Sequence, residues 1–310
     1  MDHSAAPLPV YLNRASGSAP AVLAAVHADP RFEARELGPG DIREQLRAAV
    51  RTGITRIVVA GGDGTVLCAA EVAAQTGVEL AVLPGGTLNH FSHDLGLPVQ
   101  DMAACLEIAA TGVPRRMDLG EVNGNAILNS SSVGAYVTFV RTRERLEKRG
   151  LSYRTASVIG ALRVWRHLRG MRVEMRVGEG ERAEWRRYHS PMVYIGIGER
   201  DLGRLSPFTR LRGGRHTLHV MIARRSARGR MAALAWSALR RGLDAAARTD
   251  NLDALLVDEC VVHLRRDHVT IGIDGELVKV KAPLHYRLNR DAFTVIAPRS
   301  GGQFSPAEGG

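Results

Sequence analysis

The chain reads as an α/β protein with a second, β-rich part, and three observations predict this. From residue 8 to about 110, short apolar runs alternate with segments of helical period, the pattern of a parallel sheet with crossover helices. Two of the runs end in glycine turns, Gly61-Gly62-Asp63-Gly64-Thr65 and Pro84-Gly85-Gly86-Thr87-Leu88-Asn89. Beyond residue 114, Asn123-Gly124 marks a hairpin and later strands alternate apolar with polar residues, so this part is predicted to be mostly antiparallel. With 310 residues, 45% of them hydrophobic, there is enough chain for two buried cores.

The first strand, residues 8–12, ends at Asn13-Arg14-Ala15-Ser16-Gly17-Ser18, a polar turn that is a candidate contact for phosphate or ribose. A helix over 20–28 and a strand over 32–37 follow. Asp41 caps the next helix, 42–52, and Gly53 stops it. Residues 54–60 feed the first glycine turn, and a helix over 66–76 follows with Thr65 at its start. The strand over 78–83 feeds the second turn. A short helix over 89–95 closes at Gly96 and Pro98, and Asp101 caps a helix over 102–110.

Residues 115–122 and 125–129 flank Asn123-Gly124, a dipeptide suited to the type I′ turn of a hairpin. Ser132 to Gly134 leads into a charged helix over 137–148, and a second helix covers 152–168. In that second helix Ala156, Ile159, Leu162, Trp165 and Leu168 recur every third residue, with Arg154, Arg163, Arg166 and Arg169 largely off the stripe, which is predicted to be core. Met171, Val173, Met175 and Val177 alternate with Arg172, Glu174 and Arg176, as in a half-buried strand. A turn at 178–181 leads into residues 182–188. Further strands are predicted at 192–197, 217–223, 256–264, 269–273, 277–280 and 293–297. A helix over 231–246 carries Trp236, Leu239 and Leu243, and the Gly/Ser/Pro-rich end, 299–310, is predicted to be disordered.

Three glycines in four positions, Gly61, Gly62 and Gly64, remove Cβ atoms that would hold a phosphate off the backbone N–H groups, and a helix beginning beside them adds its positive end. Asp63 in such a cradle would repel the phosphate unless a cation lay between, so it points to Mg²⁺-phosphate chemistry. Two turns of this kind at the carboxyl ends of neighbouring parallel strands fall where open α/β sheets bind ligands. A third acidic turn, Ile273-Asp274-Gly275-Glu276, lies in an otherwise apolar hairpin, where Asp-Gly is also an ordinary turn sequence.

Forty-two basic against 32 acidic residues give a formal charge of +10, which favours anionic partners without choosing among them. Aromatic residues make up 5%, and none interleave with basic ones on a strand, so the stacking platforms of a single-stranded nucleic-acid binder are missing. Cys68, Cys105 and Cys260 are widely spaced and read as buried thiols in a reducing compartment. No run of 18 apolar residues and no basic-then-apolar leader is present, and the expectation is a cytoplasmic protein that does not span a membrane.

Asn13-x-x-Ser16-Gly17, the two glycine turns and Asp274-Gly275-Glu276 occur in this order. Together they resemble the diacylglycerol kinase catalytic-domain family, lipid kinases of the NAD-kinase-like superfamily, and its soluble bacterial branch in particular. The resemblance implies a nucleotide-binding α/β domain with a parallel sheet, residues 1–118 with 292–310, the last strand returning to it. A larger, mostly antiparallel, β-sandwich-like acceptor domain, 119–291, would follow, with the active site in the cleft between them. It implies ATP and Mg²⁺, with the γ-phosphate passing to a hydroxyl of a diacylglycerol-like lipid. Carried over by motif, Asn13, Ser16, Gly17, Gly61, Gly62, Asp63, Gly64, Thr65, Gly85, Gly86, Thr87 and Asn89 hold the nucleotide. Asp274 is the general base, Glu276 assists it or holds the metal, and Asp63 is a metal ligand.

Two departures stand out. Many members have Asp where this chain has His90; Asp94, one helical turn later, is a candidate replacement and metal ligand. His90, His93 and Asp94 also have the look of a metal cluster, but are read as surface residues. Where members carry acids of a structural metal site, this chain reads Leu211-Arg212-Gly213-Gly214-Arg215-His216, so no metal is predicted there. The lipid would be met at a membrane surface by peripheral docking on anionic lipid. The most basic region, residues 141–187 with 14 basic and 6 acidic side chains, is the expected docking face. Oligomeric state is left open, a homodimer included. The competing readings are an NAD kinase and a non-catalytic nucleotide- or lipid-binding regulator.

Overall fold

The computed structural model describes residues 6–166, 170–177, 184–201, 209–211, 213–223 and 252–299. The chain divides into two units, one of Met1–Met117 with Asp291–Gly310 and one of Asp118–Arg290.

The first unit alternates strand and helix: β1 (Leu8–Leu12), α1 (Ala19–Ala28), β2 (Phe32–Glu36), α2 (Ile42–Val50), β3 (Arg56–Gly61), α3 (Asp63–Thr76), β4 (Glu79–Pro84), α4 (His90–Leu95) and α5 (Met102–Thr111). β1 lies between β2 and β3, and β4 pairs with β3, all in parallel. Ile57 to Ala60 and Leu80 to Leu83 are buried along their whole length, as uninterrupted apolar runs require in a sheet covered on both faces. The caps fall where the short polar residues stand: Asp41 accepts the Arg43 N–H and Asp101 the Ala104 N–H, while Gly77 and Gly96 end α3 and α4 at φ +74° and +81°.

One boundary differs in a way that matters. α3 starts at Asp63, not at 66, because the extended residue Gly62 is its N-cap. Thr65 is therefore inside the first turn, and its hydroxyl accepts a hydrogen bond from Asn13 Nδ2 at 2.9 Å instead of capping the helix.

The chain enters the second unit along β5 (Val113–Val122), and Asn123 and Gly124, at φ +47° and +81°, turn it back into β6 (Asn125–Ile127). β7 (Ser130–Gly134), α6 (Ala135–Glu147), α7 (Tyr153–Arg166), β8 (Met171–Val177), β9 (Glu184–Ser190), β10 (Met192–Ile197) and β11 (Leu218–Ala223) follow. Then come β12 (Leu252–Val257), β13 (Glu259–His263), β14 (His268–Ile273), β15 (Glu276–Lys281) and β16 (Leu284–Ala297). Six antiparallel strands run in the order β12-β11-β10-β7-β14-β15. The first half of β16 pairs antiparallel with β13, β13 with β8, and β8 with β9. The two layers meet at a buried Tyr286, whose hydroxyl is 3.1 Å from Ser131 Oγ. The last residues of β16 belong to the first unit, where Val295 is in parallel register with Leu80 of β4.

Three expectations fail here. The strand predicted at 256–264 is two strands, because the chain leaves one layer at Asp258: β12 pairs with β11, whereas β13 pairs with β16 and β8. The last strand begins at Leu284 rather than 293, since polar residues alternate along it where only one face is buried. The stripe on α7 is not core. Ala156 is buried, yet Ile159, Leu162 and Trp165 are exposed. A three-residue step turns a helix about 60° short of a full circle, so after three steps the stripe has wound to the side opposite Ala156. The predicted helix at 231–246, the turn at 178–181, Leu168, Arg169, Arg212 and the tail beyond Arg299 lie outside the described residues.

Candidate active site

In the first unit three loops leave the carboxyl ends of β1, β3 and β4 and are laced to one another. Asn13 ties the first to the second through Thr65, and its Oδ1 accepts the Ala15 N–H at 3.0 Å. Ser16 donates its hydroxyl to the Gly85 carbonyl, which the Ser18 N–H also reaches. The Gly85 N–H bonds the Gly61 carbonyl at 3.0 Å. Asn89, at φ +49°, braces the third loop from inside, accepting the Gly86 N–H and donating to the Gly86 carbonyl, both at 2.8 Å.

The glycines are needed first for this close approach. A Cβ on Gly86 would stand 2.6 Å from the Gly62 Cα, one on Gly85 3.0 Å from the Gly61 Cα, and one on Gly61 2.7 Å from the Thr65 side chain. Gly17 has nothing within 4 Å of such an atom. Above this knot stands the N-terminus of α3, a 14-residue helix whose first-turn N–H groups have no intrahelical acceptor. That geometry suits an anion.

Asp63 lies in that first turn, where a negative charge is favourable. Its two oxygens accept the N–H groups of His90 and Phe91, each at 3.2 Å, so it also serves as the cap of α4. At His90 it is the backbone N–H that meets the acid, a contact that does not depend on the imidazole. Thr87 and the His90 and His93 side chains are exposed, Asp94 is half-buried on α4, and Gly64 lies within the α3 first turn.

The second unit holds the other predicted acids. Asp274 and Gly275, at φ +47° and +92°, form the turn between β14 and β15, as an Asp-Gly hairpin predicts. The carboxylate does more than turn the chain. Its Oδ2 accepts the Leu128 N–H at 2.7 Å, and its Oδ1 accepts those of Asn129 and Ser130 at 2.8 Å each. Three N–H donors on one carboxylate are charge-assisted bonds, and they bind the turn to the segment between β6 and β7. Glu276 is exposed at the start of β15 and is not among these donors and acceptors.

The reverse side of that segment is held by two arginines that the sequence did not single out. Arg200, buried, donates from Nη2 to the Asn129 carbonyl at 2.6 Å. Arg210 donates to the Leu128 carbonyl at 3.1 Å and to the Ile197 carbonyl at 3.0 Å. Residues 128 and 129 thus have their N–H groups on the Asp274 carboxylate and their carbonyls on guanidinium groups, which polarises that stretch in one direction, while the Ser130 carbonyl accepts the Asp274 N–H at 2.9 Å. No local pattern marks Arg200 or Arg210, which pair across an isolated antiparallel bridge far along the chain from residue 128. Among the described residues, the Asn129 side chain and Ser132 Oγ are buried without a hydrogen-bond partner in the same neighbourhood, and Tyr136, whose phenol burial pushes up, feels the Asp274 charge.

Residues 10–122 match the sequence profile of the diacylglycerol kinase catalytic domain. A probable lipid kinase YegS-like from Chromohalobacter salexigens is 32% identical over 163 residues, 51% of this chain and 50% of that protein. One from Pseudomonas aeruginosa is 40% identical over 113 residues, 35% of this chain and 36% of its own. A diacylglycerol kinase from Mycobacterium tuberculosis is 34% identical over 128 residues, 39% of this chain and 41% of its own. The matched stretch thus spans half the length of these relatives or less. Among solved structures, a diacylglycerol kinase from Bacillus anthracis superposes with a TM-score of 0.65 over 95% of this chain and 97% of that one; at 17% identity it shows the fold.

Proposed function

From the premise that residues 10–122 are diacylglycerol kinase catalytic-domain sequence, we propose that the protein is a lipid kinase. It passes the γ-phosphate of ATP to a hydroxyl of a diacylglycerol-like lipid at a membrane surface. The observation that carries this reading is the knot of three loops under the α3 N-terminus, in which Asn13, Ser16, Gly61, Gly62, Thr65, Gly85, Gly86 and Asn89 fix one another. Such a rigid set of backbone N–H groups is what phosphate positioning asks for.

Asp63 fits Mg²⁺. A carboxylate offers about four acceptor sites, and two N–H groups use two of these; a hard cation takes one or two carboxylates beside phosphate oxygens and water. Bound there, the ion would neutralise charge on the phosphates. Asp274 is assigned as the base that takes the acceptor hydroxyl's proton, its carboxylate held still by Leu128, Asn129 and Ser130. Asn129 and Ser132, with buried polar atoms that lack partners among the described residues, are assigned to the acceptor's polar headgroup.

The test is transfer of labelled γ-phosphate from ATP, with Mg²⁺, to a panel of glycerolipids and sphingoid bases in mixed micelles, beside NAD. Labelled lipid is the expected product. Labelled NAD alone would replace this reading with an NAD kinase, and no labelled product with ATP bound would replace it with a regulator.

A further inference from the structure

α7 has two apolar sides, and among the described residues one of them packs against a neighbour while the other is exposed. Ala156 and Gly160 face α6, where a Cβ on Gly160 would stand 3.2 Å from the Phe139 ring, and Arg143 stacks over the Tyr153 ring at 5.2 Å. These contacts fix which way the helix is turned. The opposite side carries Val158, Leu162 and Trp165, which are 61%, 57% and 39% exposed. At 100° per residue they fall within about 60° of one another, in a patch about 10 Å long, and Arg154 and Arg166 fall on either side of it.

An outward row of Val, Leu and Trp costs solubility and does nothing for the fold, so it marks a surface that meets something apolar. The charge around it selects the partner. Residues 135–166 hold eight basic and two acidic side chains. A second copy presenting the same patch would set like charges against each other, whereas an anionic bilayer offers hydrocarbon to the Val158, Leu162 and Trp165 row and phosphate to the arginines beside it.

We propose that the outer face of α7 is the element that docks on anionic membrane, with Leu162 and Trp165 entering the boundary between headgroups and acyl chains and Arg154 and Arg166 resting on lipid phosphates. This deepens the lipid-kinase reading and rests on it for its purpose, since an enzyme acting on a lipid must reach the bilayer.

The experiment is co-sedimentation of the full chain, without nucleotide, with phosphatidylcholine vesicles that contain or lack phosphatidylglycerol. Wild type is expected to bind the anionic vesicles, and Leu162→Asp to bind them at least about 10-fold more weakly, as loss of one buried leucine implies. Arg154→Glu with Arg166→Glu should weaken binding and reduce its salt dependence. Because the three substituted residues are exposed, the unfolding midpoints should match wild type. Wild type that stays in the supernatant, or Leu162→Asp that sediments as wild type does, would overturn the proposal. So would a fall in solution mass on Leu162→Asp with vesicle binding intact, which would assign the face to a second copy. Transfer to a short-chain diacylglycerol dissolved without vesicles reads the catalytic proposal separately: its absence, with vesicle binding as described, would remove the kinase reading and leave the docking face standing.

Discussion

Asp63 and Asp274 stand in similar sequence, each beside a glycine in a turn, and the structure gives both the same kind of partner and very different grips. Asp63 accepts two backbone N–H groups at 3.2 Å from a segment 27 and 28 residues away. Asp274 accepts three at 2.7 to 2.8 Å from a segment 144 to 146 residues away. The first is a helix cap with capacity left for a cation. The second is a cross-link between distant strands, and its carboxylate is structural before it is chemical. The contrast teaches that an acidic motif can be legible while its mechanical role is not, and that the two acids should respond differently to the same substitution.

The largest effect is expected from Asp274→Asn. The amide has one acceptor oxygen, so its NH₂ must face at least one backbone N–H of Leu128 to Ser130, and a buried donor left unpaired costs about 1–3 kcal/mol. The unfolding midpoint should fall by several degrees, and phosphoryl transfer by at least about 100-fold, as loss of a general base implies. Calorimetry and transfer assays on one preparation read both. Gly86→Ala comes next: a Cβ 2.6 Å from the Gly62 Cα must push the second and third loops apart. The cost should be about 1–3 kcal/mol of stability, with at least about 10-fold weaker ATP binding by titration calorimetry. Gly17→Ala, with open space at that position, is the paired control for the fold and should leave stability unchanged.

Asp63→Asn should be gentler on the fold than Asp274→Asn, about 1 kcal/mol, the usual worth of a cap. Its signature is a higher Mg²⁺ concentration for half-maximal transfer, and a variant that matched wild type in a Mg²⁺ titration would remove Asp63 from the metal site. The smallest effect comes from His219, buried, whose Nδ1 accepts the Arg200 N–H at 3.0 Å and whose imidazole burial holds below its ordinary 6.5. A folded value below the unfolded one means that the unfolded chain takes up the proton first as pH falls. Stability is therefore full above about pH 6.5 and declines from there toward the folded pKa. In denaturant unfolding, His219→Gln should flatten that acid-side decline.

Sequence reached the first unit well because its signals are local. Ile57 to Ala60 and Leu80 to Leu83 announce two-sided burial, Asp41 and Asp101 are real caps, and the glycine turns follow their strands directly. The hairpins at Asn123-Gly124 and Asp274-Gly275 were legible for the same reason. What could not be read depends on partners far along the chain. Nothing near Asp258 says that the strands on either side join different layers, and nothing in the α7 stripe says that Ala156 will be buried while Ile159, Leu162 and Trp165 are exposed. In the candidate site the residue types and turns were visible. Their uses differed: Gly61, Gly62, Gly85 and Gly86 make room for one another before any ligand, and Asn89 braces its own loop.

The most direct measurement is single-turnover phosphate transfer by Asp274→Asn at a temperature where circular dichroism shows the variant folded, with ATP affinity measured on the same sample. Transfer at least about 100-fold slower than wild type, with ATP affinity within a few-fold, is the result expected of a base held in place by a structural cross-link. Transfer at the wild-type rate from the folded variant would contradict it and reduce Asp274 to the cross-link alone.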